Sequence, residues 1–473
     1  MKSFRYVWNY INLSRKVYSL YGLYTENDTI DNEEGHILLD DIHSYVLTCG
    51  AICTKFCQWL IPILDNIYIK GNDKPYWFTS LERLYENCPI HSHEYTKQVY
   101  QDEFKEDFDD DYTLIDVIGS GSIGQVYKIK NKYDGKDYAF KVIHPDVVYE
   151  LTIFRKIMKL FLWIPCIRNK MYELVPIDYG QFLDNFEEQV NMIHESNNLL
   201  RMNYNYRDNK HVIIPQLIKC SKGCMIMTYE EGDIMDKMDI SGYQRTKIIS
   251  LLYGFVSSGQ LFHDIIHNDI HKANWKVRTI DNKYALVIYD FGFCFRKRLK
   301  DRPIITLMTN MIESADETTD NRDNVLQMMQ FFINDYTEPT KELIIDLTPD
   351  VFKADPVIIL DLIMDVCARV PGYRGKCEAS GFQILITSIQ IFKYLKEAGI
   401  NNGHDLKNDG YRMYRERYLD LINLYKTYDC FHEYREYMID KLNTLDIEVT
   451  GLFDTIKDNE TVTDELSKLL KFD

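Results

Sequence analysis

A two-lobed α+β fold is what three features of this sequence predict. Strand-like segments gather around a glycine-rich turn between Thr113 and Val142, and an apolar strand sits between two acid-bearing loops from His267 to Gly292. Helix-period stretches lie on either side of both.

The elements can be justified in chain order. Residues 1–108 read as a helical extension, with the acidic run Gln101 to Asp111 as a linker into the first strand. Residues 109–232 read as the small lobe. Thr113-Leu114-Ile115-Asp116-Val117, Val126-Tyr127-Lys128-Ile129 and Tyr138-Ala139-Phe140-Lys141-Val142 have strand composition, and Asp134-Gly135 supplies a hairpin turn. A helical insertion follows, and Phe182, Phe186, Val190 and Ile193 recur at helical spacing through Glu195. Val212-Ile213-Ile214-Pro215 and Cys224-Met225-Ile226-Met227-Thr228-Tyr229 read as two strands joined by a turn at Ser221-Lys222-Gly223, with Gly232 closing the lobe. Residues 233–473 read as a larger, mostly helical lobe that runs through amphipathic helices to the C-terminus, Ile248 to Phe262 being the helix that leads into the first acid-bearing loop.

The loops carry chemistry. Gly119-Ser120-Gly121-Ser122-Ile123-Gly124-Gln125-Val126 has the form G-x-G-x-x-G-x-V, in which glycines let backbone N–H groups come close to nucleotide phosphates. The segment lies between two strands, whereas a dinucleotide site would open a helix. Lys141, beside Ala139 on the next strand, is placed to reach the phosphates and needs an acidic helix partner. Glu195 is the candidate, with Glu187 and Glu188 as rivals. His267-Asn268-Asp269-Ile270-His271-Lys272-Ala273-Asn274 puts an acid and an amide on one D-x-x-x-x-N loop, and Tyr284-Ala285-Leu286-Val287-Ile288-Tyr289 delivers Asp290-Phe291-Gly292. In that order Asp269 can face a substrate hydroxyl while Asn274 and Asp290 hold magnesium, as in kinase-like enzymes. The predicted fold is therefore a bilobal protein-kinase-like one.

These residues resemble a particular family. Lys141-Val142-Ile143-His144-Pro145-Asp146-Val147 is similar to the V-K-x-x-H-P-G-V of the UbiB family, also called the ADCK group of atypical protein-kinase-like proteins. Glu195-Ser196-Asn197-Asn198 resembles its E-A-x-N, and the loop from His267 to Asn274 its H-x-D-P-H-P-G-N. Lys55-Phe56-Cys57-Gln58 resembles its K-x-G-Q signature, and Leu81-Glu82-Arg83-Leu84-Tyr85-Glu86-Asn87-Cys88-Pro89 its L-x-x-L-x-D-x-x-P. The likeness runs from about Ser44 to Phe295. It implies that Met227 guards the back of an adenine pocket and that Thr228, Tyr229 and Glu230 offer backbone hydrogen bonds to the base. It further implies ATP and Mg2+ as cofactors, and a lipid, quinone-related small molecule or water as acceptor.

The departures are also specific. The family's usual alanine-rich loop is here glycine-rich at Gly119, Gly121 and Gly124, which makes phosphate contact less hindered. The family's E-x-D falls on Gln189 and Asn191, so Lys55 is expected to lose an ionic partner and the extension to be held more loosely. Cys57, Lys272 and Ala273 replace glycine, proline and glycine of the family motifs. No A-P-E triplet follows Asp290, which argues against a conventional protein substrate.

Composition bounds the function class. With 45% hydrophobic and 13% aromatic residues the chain is not a disordered one. A formal charge of -17 argues against nucleic acid as a general partner. Cys49, Cys53 and Cys57 recur at helical spacing as small core residues, and the 11 cysteines read as a reduced set, which places the chain in the cytoplasm or another reducing compartment. No apolar stretch is long enough to cross a bilayer. At the N-terminus Lys2, Arg5, Arg15 and Lys16 interleave with Phe4, Tyr6, Trp8, Tyr10 and Leu13, which suits either a membrane-surface or targeting helix or a basic helix packed on the domain.

The functional expectation is magnesium-dependent ATP binding with phosphoryl transfer or ATP hydrolysis. Lys141 holds the phosphates, Glu195 orients it, Asn274 and Asp290 ligate magnesium and Asp269 accepts the acceptor's proton. His267 and His271 brace the loop. The rival class is a nucleotide-bound switch or scaffold without chemistry. A small-molecule kinase of aminoglycoside or choline type shares the loop, but the K-x-G-Q-like segment and His144-Pro145 speak against it.

Overall fold

The structure is a computed structural model that describes residues 2–27, 29–68, 74–85, 90–207, 209–261, 263–297, 305, 322–333, 337–348, 356–369 and 377–399. The expected C-terminal helices beyond 399, and Glu86 to Pro89 of the second extension motif, lie outside the described residues.

Four helices open the chain: α1 (Lys2–Asn27), α2 (Glu33–Thr48), α3 (Ala51–Tyr68) and α4 (Tyr76–Glu82). The acidic run expected to be a linker is largely helical, in α5 (His93–Phe104) and α6 (Phe108–Asp111). The reason is apolar. Tyr100 and Phe108 are fully buried, and Phe108 stacks on Phe140 of the sheet with centroids 5.6 Å apart while Tyr100 meets both edge-on. Each such ring contributes roughly 1.5–3 kcal/mol by leaving water, which outweighs the repulsion among exposed carboxylates around them.

The small lobe is an antiparallel sheet of β1 (Tyr112–Ser120), β2 (Gly124–Asn131), β3 (Asp137–Ile143), β5 (Leu217–Cys220) and β6 (Cys224–Thr228), in the order β1-β2-β3-β6-β5. Along β3 alternate side chains face opposite ways. Phe140 and Val142 join the aromatic cluster under α5 and α6, so Ala139 and Lys141 face the other side. Between β3 and β6 the chain makes α7 (Val147–Trp163), α8 (Pro165–Leu174), α9 (Tyr179–Gln189) and α10 (Met192–Tyr206). The helix expected to run through Phe182 to Glu195 is thus two helices. Asn191 adopts an extended conformation and its side chain caps the Ile193 N–H, which starts α10 afresh.

The pairing expected for Val212 to Pro215 is corrected. β4 (Val212–Ile213) pairs in parallel with β9 (Lys283–Ile288) in the large lobe, next to β8 (Trp275–Ile280), and the turn at Ser221 to Gly223 joins β6 to β5 instead. Leu217 to Cys220 is an edge strand with no fully buried residue, so its apolar signal is weak. The large lobe adds α11 (Gly242–Leu261), the pair β7 (Ile265–His267) and β10 (Cys294–Arg296), and helices α12 (Arg322–Phe332), α13 (Glu338–Leu347), α14 (Pro356–Arg369) and α15 (Ala379–Glu397). None of the described helices is long and apolar enough to cross a membrane.

The extension is fastened to both lobes. Trp59 donates to Gln383 of α15 at 2.7 Å, and Asp65 pairs with Lys393. On the small-lobe side, Glu150 of α7 accepts from the Tyr6 hydroxyl at 2.6 Å and from the Ala51 N–H at 2.7 Å. A buried carboxylate therefore caps the N-terminus of α3 from another helix. Tyr6 and Tyr10 bury one face of α1, while Phe4, Trp8 and Tyr18 stay exposed on the other.

Gly50 makes that cap sterically feasible. Its φ is +103°, and a Cβ there would lie 2.4 Å from the Glu150 carboxyl carbon. Gly50→Ala is expected to cost about 1–3 kcal/mol from the backbone conformation alone, read as a lowered midpoint in chemical denaturation. An unchanged midpoint would mean that the α7-to-α3 cap is not a determinant of stability.

Candidate active site

Lys141 lies on β3 opposite Met225 of β6. Its ammonium is 2.7 and 2.8 Å from the two Glu195 carboxylate oxygens, and 3.3 Å from Oδ1 of Asp290. Burial works to strip the proton from Lys141, but Asp290 and then Glu195 outweigh it and raise its pKa above the ordinary lysine value. Burial pushes the Glu195 carboxyl up against the pull of that ammonium. At Asp290 burial also works upward, yet Lys141, Lys55 and the Gly292 N–H together hold it well below the usual carboxylate range. The rival acids are engaged elsewhere, Glu187 with Arg155 and Glu188 with His194.

The loop from His267 to Asn274 is held by its own side chains. His267 Nδ1 accepts from the Asp269 N–H, so its Nε2 donates to the Tyr289 carbonyl at 3.0 Å, and burial lowers its pKa, which keeps it neutral. His271 Nδ1 accepts from the Ala273 N–H, leaving Nε2 to face Asp269 at 3.7 Å. Both histidines thus brace the loop. Asn274 donates its amide N–H to the Asp269 carbonyl at 2.8 Å, which reserves its amide oxygen. Asp290 is left-handed at φ +55° and caps the Gly292 N–H, so its carboxylate turns back toward Lys141.

Three further anchors carried no role in the sequence. Asn198, one turn beyond Glu195 on α10, donates to the Phe291 carbonyl at 3.0 Å and fixes the D-F-G backbone to the same helix. Gln383 and Thr387 of α15 both donate to the Asn268 carbonyl, at 3.0 and 3.1 Å. Asn198 could be suspected from its place in Glu195-Ser196-Asn197-Asn198; the α15 pair had no local signal.

The glycine-rich turn joins β1 to β2, and Gly121 donates to the Gly124 carbonyl at 2.9 Å. Gly119 and Ser120 still belong to β1, while Gly124 and Val126 belong to β2, so Gly121, Ser122 and Ile123 form the tip. His144 holds it from behind: its Nε2 donates to the Gly121 carbonyl at 2.9 Å, and its N–H donates to the Ile123 carbonyl at 2.8 Å. A buried His91–His144 contact of 2.7 Å between the Nδ1 atoms continues the chain to Thr96. At the hinge Met227 pairs with Ala139 across the sheet. The Thr228 N–H is taken by the Gln216 carbonyl and the Glu230 carbonyl by the Tyr289 hydroxyl, so two of the expected base-binding positions are engaged within the protein. Tyr229 lies between them under the Lys128 ammonium, 4.4 Å from its ring centroid.

The family model for the ABC1 atypical kinase-like domain matches residues 83–328, more than half of the chain. The chain belongs to this family. Among solved structures it is similar to Rv3197 of Mycobacterium tuberculosis, solved with erythromycin, at 16% identity over 67% of this chain and 84% of that one, with a TM-score of 0.38. It is also similar to the Rio2 kinase of Chaetomium thermophilum, solved with ADP, Mg2+ and a phosphoaspartate, at 11% identity over 77% of this chain and 95% of that one, with a TM-score of 0.29.

In this ABC1 kinase-like chain the extension reaches the candidate site. Lys55, one turn into α3, reaches the Asp269 carboxylate at 3.5 Å. Burial works against its charge, but Asp269 and Asp290 raise its pKa. Gln189 and Asn191, being amides, offer Lys55 no ionic partner, as expected; Asn191 caps α10 instead, and Lys55 is paired with Asp269 of the site itself. Gln58 donates to the Leu84 carbonyl at 2.8 Å, and the Tyr85 hydroxyl returns a 2.6 Å bond to the Gln58 carbonyl, which locks the two extension motifs together.

The donor chemistry fits magnesium. Among the described residues no three His, Cys, Asp or Glu side chains group to hold a metal by themselves. One carboxylate, Asp290, and one reserved amide oxygen, Asn274, make the set this ion takes when phosphates and waters complete its shell.

Two outcomes test this site's construction. A Cβ at Gly124 would lie 2.8 Å from the Val142 carbonyl, whereas one at Gly119 meets nothing within 4 Å and one at Gly121 only the Gly124 carbonyl at 3.6 Å. Gly124→Ala is therefore expected to lower the thermal midpoint, while Gly119→Ala and Gly121→Ala leave it unchanged; equal losses in all three would contradict the packing. Burial, then His144 and His93, push His91 down to about 4, and burial lowers His144 and His267 as well. Below the ordinary value of 6.5 the unfolded chain binds protons that the folded one excludes, so stability falls as pH drops from there toward about 4. Denaturation midpoints across that interval should show the slope, and His91→Gln should flatten it.

Proposed function

We propose that this protein is a magnesium- and ATP-dependent enzyme that transfers the terminal phosphoryl group to a small molecule or lipid, or to water. The observation that carries this reading is the convergence of Lys141, Glu195 and Asp290 within hydrogen-bonding distance, beside a loop that presents Asp269 and reserves the amide oxygen of Asn274. Such catalysis is positioning and charge stabilisation in the main. Magnesium, when bound, would neutralise phosphate charge. Glu195 orients Lys141 toward the phosphates, and Gly119, Ser120, Gly121, Ser122, Ile123, Gly124 and Val126 cover them. Ala139 and Met227 line the base pocket with the hinge from Thr228 to Glu230, whose remaining backbone groups recognise the base. Asn274 and Asp290 hold the metal, and Asp269 accepts the acceptor's proton. The absence of an A-P-E triplet favours an acceptor other than a protein hydroxyl.

One observation favours a second reading, a nucleotide-bound switch. The Lys55 ammonium lies against Asp269, the group that would have to accept a proton. In that reading nucleotide sets the position of the extension without turnover.

ADP release by the full chain with magnesium decides between them. Wild-type turnover should fall by about 10²-fold or more in Asp269→Asn, and its magnesium dependence should disappear in Asp290→Asn. Thermal stabilisation by ATP with turnover no greater than that of Asp269→Asn would exclude the enzyme and leave the switch. Lys55→Met should raise ADP release by freeing Asp269; a fall would instead place Lys55 among the groups that assist transfer.

A further inference from the structure

The chain carries a formal charge of -17, yet a basic stretch follows the D-F-G segment: Arg296, Lys297, Arg298, Lys300 and Arg302 stand against Asp301 alone. Arg296 ends β10 and is exposed. Its Nε and Nη2 groups both donate to the Asn198 amide oxygen, at 3.3 Å each, which fixes the guanidinium against α10. A merely solvated arginine would not be clamped by an amide that is itself fully buried. Among the described residues Arg296 has no ion-pair partner.

The face of α10 that meets it carries His194, Asn198 and Arg201 at i, i+4 and i+7. Arg201 gives its Nε to Asp264, whose backbone carbonyl accepts from the Lys297 N–H at 2.8 Å, so a second guanidinium is tied to the residue next to Arg296. Burial and then Arg201 lower the Arg296 pKa, as expected of two like charges held together. The nearby acids are committed elsewhere: Asp264 to Arg201 and Asn205, and Glu188 to His194. Among the described residues the Nη groups of Arg201 and the Nη1 of Arg296 are left without a hydrogen-bond acceptor.

We propose that Arg296 and Arg201 form a binding site for the phosphate of a monoester. Guanidinium forks take phosphate oxygens in pairs, and two forks on adjoining elements can close on one such group. A carboxylate has oxygens and charge enough for one fork, whereas a phosphate monoester offers a third oxygen and a second charge. The phosphate is carried by a hydroxyl of this chain or by a separate small molecule, and the chemistry recognised is the same. Asn198 gives the site its reach: its oxygen holds Arg296 while its amide N–H holds the Phe291 carbonyl at 3.0 Å. An occupied site therefore ties β10 to α10 at the amide that anchors D-F-G, one turn from Glu195. The inference stands apart from the catalytic one, since binding here requires no turnover.

The test is calorimetric titration of the full chain, treated with phosphatase and then freed of it, with inorganic phosphate and with acetate at equal ionic strength. Phosphate is expected to bind and acetate not. Arg296→Gln should weaken phosphate binding about tenfold or more, since it removes one charged donor group. Its thermal midpoint without phosphate should be unchanged, because the side chain is exposed and glutamine can still donate to Asn198. Arg296→Lys should keep part of the binding, as the charge remains while the fork is lost. Arg201→Lys should weaken it too, with the Asp264 pair retained. Untreated chain separates the sources. A phosphorylated intact mass, with inorganic phosphate refused until phosphatase treatment, assigns the site to a phosphate on this chain; equal titration before and after treatment assigns it to a separate molecule. Failure of the treated wild type to bind phosphate overturns the proposal. So does binding that survives Arg296→Gln undiminished, which would place the phosphate under the glycine-rich turn, and so does equal binding of acetate.

Discussion

Everything at the candidate site depends on one buried lysine. Lys141 has left water, and a lone ammonium in that position would lose its proton or not be buried at all. Glu195 and Asp290 keep it charged, and each arrives on a different element: β3 brings the lysine, α10 the glutamate, and the chain after β9 the aspartate. The pair cannot form unless sheet, helix and large lobe are mutually placed. Removing one partner would leave the other charge buried and unpaired, a loss of about 3–5 kcal/mol. Asn198 then repeats the link one turn further along α10 by holding the Phe291 carbonyl. The contact of Lys141 with Glu195 and Asp290 is therefore what registers one lobe against the other.

The extension enters this electrostatic arrangement as a structural part of the site. Glu150 fixes the first turn of α3 at Ala51, and one helical turn later Lys55 faces Asp269. Two ammonium groups and three carboxylates then share the site, one negative charge in excess when all are ionised. Such a site attracts a divalent cation, and it also couples the extension to whatever binds there. A ligand that competes with Lys55 for Asp269 acts on α3, and through the Glu150 cap on α1 and α7.

Much of this was legible in the sequence, and the limits have physical causes. The glycine-rich turn, Lys141, Glu195, the loop from Asp269 to Asn274 and Asp290 could be named because each motif is short and its order along the chain is diagnostic. Strand pairing at the hinge could not be named. Val212 to Pro215 has the stronger apolar signal, yet it lies in the large-lobe sheet, while the weaker edge strand from Leu217 pairs with β6. Local propensity does not say which sheet a short strand joins. The acidic stretch before β1 misled for a similar reason: its charges are conspicuous, but Tyr100 and Phe108 decide its structure. The support from Gln383 and Thr387 to Asn268 was invisible, because two ordinary polar residues on a distant helix become partners only through the fold.

The glycines sort into two kinds, and the distinction bears on function. Gly124 is required by the sheet, because β2 approaches the Val142 carbonyl too closely for any Cβ. Gly119 and Gly121 are not required: neither has a positive φ, and both have room for a methyl group. Packing therefore gives no reason for glycine at those two positions. Under the proposed function a bound nucleotide supplies one, since a loop without side chains would let phosphate groups come close. His144 fits the same account. It takes the Gly121 carbonyl and the Ile123 carbonyl, while the Gly121 N–H is itself taken by the Gly124 carbonyl, so the tip of the turn is held both by its own backbone and by His144. A residue that looked like part of a family signature is, in physical terms, the back wall of the glycine-rich turn.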